Sequence, residues 1–200
     1  AHKATDAVAA FGSDGRGVKI GVLSDSVDHL AALQTAGVLP QVTILPGQAG
    51  SGFGEGTAML EIVHGIAPGA QLYFATGLSS VASFAQNIRN LQAAGCKVIV
   101  DDVIYFNESP FQDGPIAQAV SSVSDAGVLY FSAAGNSRTP SRDTGSTWEG
   151  DFKDGGATNL NRGGRLLDFG GATINKVRQG PYFGRVDLFW ADPLGGSTND

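Results

Sequence analysis

Apolar residues along this chain fall into two rhythms that take turns. Short runs read as β-strands: Val18-Lys-Ile-Gly-Val-Leu23, Val42-Thr-Ile-Leu45, Gln71-Leu-Tyr-Phe-Ala75, Val98-Ile-Val100 and Val128-Leu-Tyr-Phe131. Between them the apolar positions recur at helical spacing. Residues 4–11 predict a short amphipathic helix, and residues 29–36 predict another, stopped by Gly37. Glu55 opens a third in which Leu60, Val63 and Ala67 share a face, ended by Ala67-Pro-Gly. Ser80 is placed to cap a fourth, running through Phe84, Ile88 and Leu91 to Gly95. The fifth covers residues 116–126, with Pro115 suited to its first turn and Gly127 after its last. Val98-Ile-Val100 is almost wholly apolar, as a strand covered on both faces must be. Strict alternation over residues 18–136 therefore predicts an α/β fold, a doubly wound parallel sheet with helices on both faces. Polar clusters at 24–28, 101–102 and 132–137 follow strands directly, so they share the rim where open α/β sheets bind ligands.

The rhythm changes after Asn136. Residues 137–156 are polar and turn-rich, and from Leu166 short segments broken by Gly or Pro suggest strands at 166–169, 172–174 and 182–190. The expected division is an α/β part over residues 1–143 and a partial β-rich inserted or accessory module over residues 144–200. With no closing element at its end, the chain reads as a fragment of a longer protein.

Composition narrows the function. Two hundred residues with 42% hydrophobic content suffice for a full core, and 29 glycines, spread irregularly, imply many tight turns. The net charge of −6 and the lack of a basic run argue against nucleic acid as a partner. Cys96 is the only cysteine, which excludes an internal disulfide and a cysteine metal site. No apolar stretch reaches membrane-spanning length. Ala1-His-Lys does not read as a native start, so the expectation is a leader already removed.

The richest stretch is Ser51-Gly-Phe-Gly-Glu-Gly-Thr-Ala58, a glycine-rich loop that tips into a helix with Glu55 at the junction. A carboxylate there is favoured by the free N–H groups of the first turn, so a plain cap accounts for it. A general base of a hydrolase also accounts for it, provided the neighbouring strands supply partners. His64 stands nine residues further on, half a turn out of phase with Glu55, and reads as a surface or last-turn residue.

Three stretches, in this order, resemble the subtilisin-like serine peptidases. Gly15-Arg-Gly-Val-Lys-Ile-Gly-Val-Leu-Ser-Asp-Ser-Val-Asp28 resembles the strand and turn that bear the family's catalytic aspartate. Glu55-Gly-Thr-Ala58 falls where the family has a histidine followed by Gly-Thr, and Ala67-Pro-Gly-Ala70 resembles the segment that follows. Val128-Leu-Tyr-Phe-Ser-Ala-Ala-Gly-Asn136 resembles the strand that delivers the oxyanion-hole asparagine. Glutamate as base resembles the sedolisins, although their orienting aspartate one turn later corresponds here to Met59. A gap-free alignment puts Ser24 rather than Asp25 at the aspartate position. The Gly-Thr-Ser helix that carries the nucleophile is absent from these residues; Thr144-Gly-Ser-Thr147 is followed by no such helix. The resemblance spans residues 4–137. The later β-rich residues resemble an accessory module inserted before the nucleophile in some bacterial members.

The resemblance implies a serine endopeptidase whose nucleophile lies outside this chain. Glu55 is then the base, Asp25 or one of Asp101 and Asp102 orients it, and Asn136 serves the oxyanion hole. Serine catalysis by a glutamate needs its carboxyl raised above the usual range, for which a carboxylate pair sharing one proton suffices. Asp101 and Asp102 are adjacent on an extended backbone and point to opposite sides. Asp28 is better placed than Asp25 to cap the helix of residues 29–36. The implied partners are a peptide or protein substrate and the remainder of the same chain; the implied setting is secreted or cell-envelope, in a bacterium. No cofactor is required. A structural calcium is a further expectation, with Asp187, Asp192, Asn199 and Asp200 as candidates that spacing alone does not select. Trp190, Phe189, Tyr182 and Phe183 read as packing of the β module before they read as a carbohydrate platform. The competing reading is a subtilase-like domain without catalysis, acting as a binding or structural module. A dinucleotide fold ranks last, because Ser24-Asp-Ser26 stands where its glycine turn belongs.

Overall fold

A computed structural model describes residues 3–136, 147–159, 163–176, 186–193 and 195–196. Five parallel strands form the principal sheet: β1 Lys19–Ser24, β2 Val42–Ile44, β3 Gln71–Thr76, β4 Val98–Asp101 and β5 Leu129–Ser132, in the order β2-β3-β1-β4-β5. The helices between and before them are α1 Ala4–Phe11, α2 Leu30–Thr35, α3 Glu55–Ile66, α4 Val81–Ala93 and α5 Pro115–Asp125. Each crossover helix begins or ends for a local reason. Ser80 Oγ accepts the Ser83 N–H at 3.1 Å at the start of α4, and Pro115 occupies the first turn of α5. Gly54, at φ 81°, makes the left-handed step into α3 that a side chain would resist.

Two cores sandwich the sheet. Ile20, Val22, Leu72 and Phe74 pack against Leu60 of α3 and Leu30 of α2 on one face. Leu23, Ala75 and Ile99 pack against Phe84, Ile88 and Leu91 of α4 and Ala119 and Val123 of α5 on the other. Successive residues of the central strand thus enter opposite cores, and β1 is buried along nearly its whole length. Gly21 lets α4 approach closely: a Cβ there would lie 2.9 Å from Leu91 Cδ1. Outside the cores, Lys19 Nζ is tied to Ala94 O at 2.9 Å and lies 5.1 Å from the Tyr73 ring centroid. No helix of the described residues is long and apolar enough to cross a membrane.

The chain divides into two compact units, residues 1–135 with 188–200, and residues 136–187. The sequence pattern put its boundary between 143 and 144 and did not anticipate that residues 188–200 group with the first unit. Within that unit, Gln112 Nε2 donates to Asp192 O at 2.6 Å. The second unit has an antiparallel pair, β6 Asp154–Ala157 and β7 Arg165–Leu167, with an Arg165–Asp154 ion pair and an edge-on contact of Trp148 with Phe169. β6 falls in the stretch read as turns, because Asp154-Gly-Gly-Ala157 offers no apolar alternation to detect. Residues 172–174 and 186–190, expected as strands, have no strand geometry. Tyr182, Phe183, Asn199 and Asp200 lie outside the described residues. Trp190 is 49% exposed.

Candidate active site

Connections leave the neighbouring strands β1 and β4 for opposite faces of the sheet, α2 on one and α5 on the other. Such a switch opens a crevice at the carboxyl ends of the strands. Register puts Leu23 opposite Asp101, so the residues that follow, Ser24-Asp25 and Asp102, meet at that crevice.

Asp25 is 5% exposed and acts as a clasp. Its Oδ2 accepts the Phe53 N–H at 2.5 Å, and its Oδ1 accepts the Gly56 N–H at 3.2 Å and the N–H of Ser26. Burial works to raise its pKa, but the cover is a thin layer of glycine-rich backbone. The N–H groups of Phe53, Gly56, Ser26 and Gly54 outweigh burial and hold the carboxyl below its ordinary value. The glycines make this closure possible. A Cβ on Gly52 would lie 2.3 Å from Asp25 Oδ2, and one on Gly50 would lie 2.0 Å from Asp25 O. The expectation that Asp28 caps the helix of residues 29–36 is not what forms. Its Oδ2 accepts from Ser26 Oγ at 3.0 Å and more weakly from the Gly52 N–H, while its carbonyl accepts from Thr57 Oγ1 at 2.7 Å.

Glu55 is the first residue of α3, one position from an N–H that Asp25 holds. Its side chain is exposed and makes no hydrogen bond or ion pair with another described residue. Asp25 therefore fixes the backbone of the helix head and does not bond the Glu55 carboxylate. His64, in the last turn of α3, is half-buried, and its Nδ1 is enclosed with no partner among the described residues.

The adjacent acids of β4 part company. Asp101 is 5% exposed on the α5 side, where its Oδ1 accepts from Ser132 Oγ at 2.9 Å and from the Val103 N–H at 3.2 Å. Burial raises its pKa above the ordinary value, against those two bonds and the nearby Tyr130 hydroxyl. Tyr130 Oη is enclosed against Asp101 but outside good hydrogen-bond geometry, and burial with the Asp101 charge raises its pKa in turn. Asp102 stays open to water on one side. Its partial burial, together with the Asp25 charge, raises its pKa, while the Ser24 hydroxyl works the other way. Ser24 Oγ, fully buried, faces Asp102 without good hydrogen-bond geometry. Asp25 and Asp102 are thus within electrostatic reach of each other, and neither bonds Glu55.

The end of β3 completes the rim. Thr76 Oγ1 donates to Asp25 O at 2.8 Å, and buried Asn87 Nδ2 donates to Thr76 O at 2.9 Å and Gln48 Oε1 at 2.6 Å. Asn136 is exposed, follows Gly135 at φ 77°, and opens the second unit. Sequence reasoning had Ser132 only as part of the polar cluster at 132–137, and passed over Tyr130 and Thr76. Register was the available signal for the first two, since Ser132 and Tyr130 stand opposite Asp101 and Ile99. Among the described residues no group of three or more His, Cys, Asp or Glu side chains is arranged to hold a metal ion.

No family model matches the chain. No curated protein matches it significantly. Among solved structures it is similar to the PatG macrocyclase in complex with peptide, at 13% identity and a TM-score of 0.46, covering 68% of this chain and 55% of that one. The chain thus spans about half the length of that structure. A likeness at this level says nothing about activity.

Proposed function

We propose that this chain is the N-terminal part of a subtilisin-like serine peptidase domain, with Glu55 as general base and the nucleophilic serine supplied by polypeptide outside it. The observation that carries the reading is the Asp25 clasp: an acid leaving the central strand holds the head of the helix that bears the candidate base. This is the pairing of elements that the sequence resemblance implies, made here through backbone N–H groups. Asp25 then acts as a positioning residue, and Asp102, whose charge acts on that of Asp25, is a further acid of the crevice. Asn136 is assigned to the oxyanion, where loss of one donor costs about 2.7–4 kcal/mol of transition-state stabilisation. The exposed outer strand supports an incomplete fold. Leu129 and Phe131 of β5 are 60% and 57% exposed, and among the described residues nothing pairs with the strand's outer edge. Secretion or cell-envelope attachment and a structural calcium belong to the same proposal.

One observation favours a second reading, a subtilase-like module without catalysis: the Glu55 side chain is exposed and bonds no other described residue. Labelling the full-length protein with an active-serine phosphonate separates the two. The peptidase reading expects labelling that Glu55→Gln abolishes while the fold persists. No labelling of the full-length protein, or labelling indifferent to Glu55→Gln, refutes it. The chain of 200 residues alone is expected to be inactive.

A further inference from the structure

Beside the crevice, on the α5 face of the sheet, lies a cavity of about 400 Å3. Its walls include Phe84 of α4, Val103 after β4 and Val120 of α5, and its polar lining includes Asp101, Glu108 and Ser132. That size is within the usual range of ligand pockets, about 300–1,000 Å3. Glu108 Oε1 accepts the Ile116 N–H at 3.3 Å, so its carboxylate rests at the head of α5. Asp101 is the more deeply buried acid, with one oxygen engaged by Ser132 and Val103. No lysine, arginine or histidine among the described residues lines the space.

Two carboxyl groups share one partly open pocket of mixed lining, and among the described residues no cation stands beside them, which is an unbalanced arrangement. Asp101 is buried and Glu108 half-buried, and a buried charge is compensated by pairing, an unpaired one being costly. A wholly apolar guest would strip water from both acids and return nothing. We propose that this cavity binds an aliphatic side chain ending in a guanidinium or ammonium group, with Asp101 and Glu108 as its anionic partners. The aliphatic stem lies along Phe84, Val103 and Val120, as arginine and lysine stems do on apolar surfaces. The cationic head makes charge-assisted hydrogen bonds to the two carboxylates, with Ser132 Oγ as a further acceptor. The inference rests on the peptidase reading only for the source of that side chain, a peptide substrate. Asp101 and Asp102 have Cα atoms about 3.8 Å apart, so the cavity starts one residue from the crevice where the chemistry is assigned.

The test is a titration of the 15N-labelled chain, followed by NMR, with Nα-acetyl-L-arginine amide and, separately, Nα-acetyl-L-norleucine amide. The expected result is shifts at the amides of Val103, Val120 and Ser132, with the arginine probe binding roughly tenfold or more tighter, the discrimination a charge-assisted hydrogen bond supports. Asp101→Asn and Glu108→Gln should each reduce that preference, and Val120→Trp, which fills the space, should remove binding. If circular dichroism shows that Asp101→Asn does not fold, Glu108→Gln and Val120→Trp decide the matter. Failure of both probes to bind, equal binding of the two, shifts confined to other residues, or a preference unchanged in the folded variants overturns the proposal. Arginine-probe binding with no peptidase activity in the full-length protein leaves the cavity standing and refutes the peptidase reading; peptidase activity without binding does the reverse.

Discussion

Replacing Asp25 with Asn should loosen the whole head of α3. The amide keeps one acceptor oxygen and turns the other into a donor facing backbone N–H groups. Asp25 accepts from Ser26, Phe53 and Gly56, and one of these N–H groups is left buried and unmatched in the variant. A hydrogen bond to a charged group contributes about 1.5–3 kcal/mol, and an unmatched buried group costs about 1–3 kcal/mol. Asp25→Asn should therefore destabilise the first unit by about 2–4 kcal/mol at neutral pH. The pKa of Asp25 is lowered on folding, so its contribution is fully present above the unfolded value, about 3.9. It fades as pH falls through the lower folded value. Urea unfolding of both proteins between pH 7 and pH 2.5 should show a gap that narrows only at the acid end. Hydrogen exchange supplies the local readout: the Phe53 and Gly56 amides should lose protection in the variant, while those of β3 change little. A gap below about 0.5 kcal/mol at pH 7, within the range of ordinary surface substitutions, or one that persists undiminished to pH 2.5, refutes the clasp.

Two further outcomes follow from the packing. Gly21→Val should destabilise by about 1–3 kcal/mol or more, because its side chain meets Leu91 and pushes α4 off the sheet; a neutral result in thermal unfolding contradicts the close approach. Cys96 is 1% exposed, with burial pushing its thiol up to about 11. It should stay unreactive toward iodoacetamide at pH 8 and react once the chain is unfolded in urea; rapid alkylation of the native protein would contradict that burial.

Much of the fold was legible because it follows from periodicity. Each crossover helix and each strand of the large sheet announces itself by apolar spacing and by stop signals such as Gly37, Gly95 and Gly127. Alternation along β4 was enough to send Asp101 and Asp102 to different environments. The site was harder to read, since its decisive contact joins residues 25 and 53–56 across a loop closure that local sequence does not encode. The glycines at 50, 52, 54 and 56 were the visible trace, but they read equally well as a flexible loop. The exposure of Glu55 was illegible for the same reason: helix-head position is a local property, whereas the direction of the side chain depends on what the loop is pressed against. β6 escaped because strands of glycine and aspartate carry no hydrophobic signal, so the strand expected at 166–169 had no visible partner.

Positions 50, 52, 54 and 56 face inward against Asp25, Asp28, Ser26 and Phe74, where even a methyl group meets resistance. Ser51, Phe53 and Glu55 face water, with Phe53 94% exposed. A randomised library across this segment should thus split by parity: variants at the even places perish and those at the odd places survive. The side chains the segment shows to water are thus those of three residues, of which Ser51 and Phe53 can be rewritten without endangering the architecture beneath, while Glu55 is held wherever the chemistry assigned to it is kept.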